Sequence, residues 1–211
     1  MIPEIRFVDP PAPTPRADYQ DLERSVLENL EGRPWVRALA TFGSLNNPGI
    51  SDLDILVVCR DRVSGLGAEL AELKKNAGGE LAHLLDVTLI NDSILPTFHH
   101  YGYVPSATWH VGGSMTPDEE LTAEAQVARG IGALAGVLSI RWHYLTRQIL
   151  ERKIRLRRTL LALNSIRYGV GIVEALTGQE EAYYKTFLED VQRLRKHWFD
   201  EDPDTRQLML L

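Results

Sequence analysis

The 211-residue chain predicts an α/β (α+β) domain with a small mixed sheet, followed by an all-α helical bundle domain. Three observations predict it. Short apolar runs of strand length alternate with helical periods through residues 18–115. From residue 116 to about 197 the helical period continues with one break near Gly178, and no strand pattern interrupts it. With 44% hydrophobic and 25% charged residues, the composition is that of an ordinary globular protein able to bury a core. The regions expected are therefore a Pro-rich arm at 1–17, the α/β domain at 18–115 and the bundle at 116–211.

The elements follow in order. Asp9-Pro10-Pro11-Ala12-Pro13-Thr14-Pro15 cannot be helical, and the expectation is a stiff arm packed on its own domain or left disordered. Leu22, Val26, Leu27 and Leu30 recur at helical spacing over 18–31, and Gly32 closes that helix. Val36–Phe42 and Leu53–Val58 read as strands, 66–76 as a helix stopped by Gly78-Gly79, and Leu84–Ile90 as a third strand. Residues 91–117 show no clear period. Thr116-Pro117-Asp118-Glu119 has the cap, proline and acids of a helix start, from which roughly four helices are expected.

Charge narrows the function class. The net charge is −6, and residues 1–115 carry 9 Lys/Arg against 15 Asp/Glu, whereas 116–211 carry 14 of each. Such a balance disfavours a general nucleic-acid coater. One cysteine, Cys59, follows Val57-Val58 at a strand end, where a small buried thiol is expected rather than a nucleophile. A lone cysteine excludes an internal disulfide framework and fits a reducing compartment. Without a signal-like opening or a span-length apolar run, the expectation is a soluble cytoplasmic protein with no membrane partner.

The chemistry concentrates between residues 40 and 90. An apolar run stops at Gly43-Ser44, a loop of Asn, Pro and Gly follows, and Asp52-Leu53-Asp54 opens the next apolar run. Residues i and i+2 share one face of a strand, so Asp52 and Asp54 point together while Leu53 and Ile55 point to the other face. Paired carboxylates repel unless a cation lies between them, and an all-oxygen site suits Mg²⁺ or Mn²⁺. In the third strand Asp86 and Thr88 share one face, and a carboxylate in an apolar strand is costly unless it is paired or binds a cation. If that strand lies beside the second, Asp86 completes a three-carboxylate group. Asp92 competes for this role but reads as a turn residue after Asn91.

On Phe42-Gly43-Ser44, Asp52-Leu53-Asp54-Ile55 and Asp86, the chain resembles the DNA polymerase β-like nucleotidyltransferase superfamily, over roughly residues 36–90. The resemblance implies that Asp52 and Asp54 hold the metal bridging the phosphates of a nucleoside triphosphate. Asp86 would, with them, hold a second metal or act as base on the acceptor hydroxyl. Gly43 and Ser44 would bind the nucleotide's phosphates. It further implies transfer of a nucleoside monophosphate to a hydroxyl with release of pyrophosphate. The acceptor expected is a small molecule. RNA or a protein hydroxyl, and a nucleotide-binding regulatory or antitoxin-like module without turnover, stand as alternatives.

The second region resembles, loosely, the helical domains fused to small antibiotic nucleotidyltransferases. Residues 147–158 hold six basic residues against one acid; one reading is a stripe facing the triphosphate or an RNA acceptor, and the favoured one is a solvated helix face opposite a buried Ile149, Leu150, Ile154 and Leu156. The histidines show no zinc-site spacing. Tyr101, Tyr103 and Trp109 are either core aromatics or a stacking platform. Gly132 and Gly136 are expected to permit close helix packing. A homodimer is a further expectation, and the apolar tail Leu208-Met209-Leu210-Leu211 wants burial.

Overall fold

The computed structural model describes residues 5–60, 65–95, 107–112, 122–179 and 182–200. In chain order the elements are β1 (Arg6–Val8), α1 (Arg16–Leu30), β2 (Val36–Phe42), β3 (Leu53–Cys59), α2 (Leu66–Gly78), β4 (Leu85–Asn91), β5 (Thr108–Val111), α3 (Ala123–Leu150), β6 (Lys153–Arg155), α4 (Leu156–Thr177) and α5 (Ala182–His197). By its contacts the chain divides into two units. One runs from residue 14 to 122, and the other joins the residues up to 13 to those from 123 onward.

The first unit is built on a mixed four-stranded sheet in the order β4-β3-β2-β5. β3 runs parallel to β4 and antiparallel to β2, and β2 pairs antiparallel with β5. A central strand with a parallel neighbour is buried on both faces, which is why Leu53–Cys59 reads as a nearly continuous apolar run. Its odd-numbered residues, Leu53, Ile55, Val57 and Cys59, join Tyr19, Leu22, Val26 and Leu30 of α1 and Leu73 of α2 in one core. Leu56 and Val58 turn the other way, into a second cluster with Ala38, Ala40, Ile90 and Leu95. Asp54 shares their parity. α1 begins two residues before the periodicity suggests, because Pro15 is extended and releases the chain directly into Arg16.

Segments read as patternless or helical prove to hold strands. Thr108–Val111 forms the edge strand β5 inside the stretch without a clear period. In the second unit β1 pairs in parallel with β6, Phe7 opposite Ile154, and the Arg6 N–H donates to the Arg152 carbonyl at 3.1 Å. Further along the leader, the Asp9 carbonyl accepts from the Arg157 N–H at 3.0 Å. The leader is thus tied into the helical unit. Three-residue strands carry too few side chains to show a period, so only their pairing reveals them.

α3, α4 and α5 are the long helices described in this unit. α4 ends at Thr177 with Gly178 in the left-handed conformation. Gly136 has open space where a side chain would be, so it does not serve close packing as expected. That role falls to Gly130 and Gly169: a Cβ on Gly130 would lie 3.2 Å from Leu176, and one on Gly169 would lie 3.3 Å from Leu134. The region around Thr116-Pro117-Asp118-Glu119 and the tail 208–211 lie outside the described residues. No described helix is long and apolar enough to cross a membrane.

Candidate functional site

β2 leaves the sheet at Phe42, and Gly43 takes φ +81°, a left-handed conformation that turns the chain. An ideal Cβ placed on Gly43 would lie 2.5 Å from Oδ2 of Asp54. The Asp54 carboxylate therefore rests against the bare Cα of Gly43, in the space any other residue would fill. Ser44 is exposed at the tip of this turn.

The parallel ladder between β3 and β4 sets Asp54 directly opposite Asp86. Registered residues on neighbouring strands share a face with backbones about 4.8 Å apart, so these two carboxylates are lateral neighbours. The ladder begins at Leu53, one residue after Asp52, so the sheet does not register Asp52 as it does the other two. Among the described residues, no three or more His, Cys, Asp or Glu side chains gather into a group able to hold a metal ion. What the sheet brings together is Gly43, Asp54 and Asp86. The donor chemistry, carboxylate oxygens side by side at the end of an apolar sheet, still fits a hard divalent cation.

The loop from Gly43 to Asp52 is held by α1, through Tyr19 and Arg16. Tyr19 is fully buried; its hydroxyl donates to the Ser51 carbonyl at 2.8 Å and accepts from the Gly49 N–H at 2.9 Å. Arg16 donates to the Leu45 carbonyl at 2.9 Å. Within the loop, the Ile50 and Ser51 N–H groups both donate to the Asn47 carbonyl. The only sequence trace of this clamp is a tyrosine at a core position of an amphipathic helix, whose hydroxyl needs a buried partner.

Other sequence candidates have structural roles. Asp92 opens a 3-10 turn whose cap is the Asn91 side chain, accepting from the Ser93 N–H at 3.0 Å. Cys59 is buried, and burial pushes its thiol up from the ordinary value. Trp109 packs against the second apolar cluster; Tyr101 and Tyr103 lie outside the described residues. His110 shares a hydrogen bond with Thr41 at 2.9 Å and faces Glu23 at 3.6 Å.

The basic segment 147–158 is not one helix face. It crosses the end of α3, a turn in which Arg152 takes φ +53°, β6 and the start of α4. Arg157 is buried, while Ile149 and Leu150, expected inside, are exposed. The helix ends at Leu150, so the pattern that would have buried them does not continue. Arg147 pairs with Glu151 at 2.6 Å, which holds the Glu151 carboxyl below its usual range.

No protein-family model and no curated protein matches the sequence. A solved structure that does match is a chain from the complex of a tri-AMPylated HEPN toxin of Shewanella oneidensis with an MNT antitoxin. The identity is 19%, over 64% of this chain and 98% of that one, with a TM-score of 0.30. A score that low does not establish a shared fold.

Proposed function

We propose that residues 14–122 form a nucleotidyltransferase unit, dependent on Mg²⁺ or Mn²⁺, that moves a nucleoside monophosphate from a nucleoside triphosphate to a hydroxyl of a small-molecule acceptor. The observation that carries this reading is the contact of the Asp54 carboxylate with Gly43, with Asp86 next to it in register. A turn without a side chain, directly beside paired acids, lets phosphate oxygens reach backbone N–H groups while a cation offsets the crowded negative charge.

Asp54 and Asp86 would hold the cation, which when bound would neutralise phosphate charge. Asp86, exposed at its strand position, takes the proton of the acceptor hydroxyl. The acceptor oxygen bonds to the α-phosphorus, the bond from that phosphorus to the β-phosphate oxygen breaks, and pyrophosphate leaves. Ser44 donates its hydroxyl to the departing phosphates, and the loop clamped by Tyr19 keeps Gly43 and Ser44 at fixed distance from the acids.

The test begins with thermal shifts for ATP, GTP, CTP and UTP, each with and without Mg²⁺, on wild type, Asp54→Asn and Asp86→Asn. A metal-dependent shift with one nucleotide is expected, abolished by Asp54→Asn. Pyrophosphate release over a panel of hydroxyl acceptors should then be lost in both variants. A nucleotide shift with no pyrophosphate from any acceptor class would replace transfer with binding alone. The same shift in the asparagine variants would remove the acids from the site.

A further inference from the structure

α3 carries an apolar pattern that the proposed reaction does not use. Ile131, Leu138 and Leu145 repeat every seventh residue, and Ala135, Trp142 and Ile149 repeat every seventh residue four positions later. Together they make the alternating three-and-four spacing of a coiled-coil seam, one narrow apolar stripe. Among the described residues nothing covers most of the stripe: Ile131 is 58% exposed, Leu138 56%, Trp142 75% and Ile149 64%, with Leu145 half-buried. It is distinct from the side of α3 that packs on α4, where Gly130 and Leu134 meet Ile172, Leu176 and Gly169.

We propose that this stripe is a self-association surface, and that its occupant is α3 of a second copy of this chain in a two-stranded coiled coil. Two features favour a copy over a different protein. The exposed seam side chains, with Val127 beside them, offer on the order of 600 Å² per chain, close to the ~800 Å² per partner of a stable interface. Partner choice in coiled coils is set by charges flanking the seam, and the open flank here is Gly132, Ser139 and Thr146. Small neutral residues select no oppositely charged partner and repel no copy. They also let two backbones approach closely. The same residues meet themselves across a two-fold axis, which closes the assembly at two.

Sedimentation velocity of the full chain from about 1 to 100 μM decides the proposal; a dimer forms there if Kd is in the micromolar range. The expected mass is twice the 23.8 kDa of one chain. Leu138→Glu with Trp142→Glu should raise the dissociation constant at least ~100-fold with unchanged far-ultraviolet circular dichroism, since a charge would enter the interface core. Ile140→Glu is the control: Ile140 is 64% exposed, but on the opposite side of the helix, and its variant should remain dimeric. If the double glutamate variant loses helicity, Leu138→Gln with Trp142→Gln repeats the comparison. A 23.8 kDa species at every concentration overturns the proposal. So does a dimer that survives either seam variant, or one that Ile140→Glu dissociates as readily. A monomer whose Trp142 is shielded from an aqueous quencher would show that the chain covers the stripe itself.

Discussion

Gly43 holds a backbone conformation that ordinary residues adopt at a cost, and its absent side chain leaves the space in which the Asp54 carboxylate lies. Gly43→Ala therefore acts twice. The left-handed conformation costs about 1–2 kcal/mol for a residue with a Cβ. The new methyl must also push the Asp54 carboxylate away, because the two would stand 2.5 Å apart. On the proposed reaction, a displacement of this size lowers transfer by about 100-fold or more. Denaturant unfolding and pyrophosphate release measure the two effects separately. An alanine variant with wild-type turnover would show that the position of Asp54 is immaterial. Asp54 itself illustrates how a single position serves two ends: its parity places it with Leu56 and Val58, yet it stands at the strand's open end, where a carboxylate can reach solvent and ligand.

Among elements, α1 does more than cover the sheet. Its apolar residues bury against β2 and β3, and its first turns fasten the loop that joins Gly43 to Asp52. Tyr19 is the link between the two tasks, with its ring in the core and its hydroxyl on the loop backbone. Tyr19→Phe keeps the ring and deprives the Gly49 N–H and the Ser51 carbonyl of that hydroxyl. The expected loss of stability is about 1–3 kcal/mol, the usual cost of stranding buried polar groups. Loosening the loop should also cut transfer by at least ~10-fold, largely in kcat, because positioning is realised at the transition state. Unchanged stability in urea would mean the loop finds substitute partners and α1 is a cover only. β5 shows a comparable economy: four residues complete the sheet, and its His110 ties the strand to Thr41 of β2 while facing Glu23 of α1.

At the scale of the molecule, two units are built on different principles. The first is a sheet with a core on each face, and the second is helices stapled by the short β1–β6 pair. In each unit burial favours the neutral form of a titratable group. Burial pushes the Cys59 thiol up from 9.0 in the first, and the Tyr144 hydroxyl up from 10.0 in the second. Since the folded state holds these protons longer than the unfolded chain, their contribution is fully present below those ordinary values. It is lost as pH rises through the raised ones. Urea midpoints should therefore hold up to about pH 9 and fall above it, as the unfolded thiol and phenol ionise first. Cys59→Ala together with Tyr144→Phe should flatten that alkaline fall. A fall equally steep in the double variant would assign it to other groups.

What depends on near neighbours is legible in the sequence. The strands 36–42 and 53–58 and the helix from residue 66 follow from period, and the shared parity of Asp54 with Leu56 follows from the alternation of a strand. The turn at Gly43-Ser44 follows from glycine at the end of an apolar run. Tertiary structure alone decided the rest. It made β4 the neighbour of β3, which puts Asp86 opposite Asp54. It sent the Tyr19 hydroxyl to a loop about thirty residues away, paired the leader with Lys153–Arg155, and divided the basic segment 147–158 between two helices and a strand. It also left Ile131, Leu138, Trp142 and Ile149 of α3 uncovered among the described residues. Periodicity reports that a face is apolar, because that is local. Which surface covers that face is settled only when distant segments close on one another and compete for it.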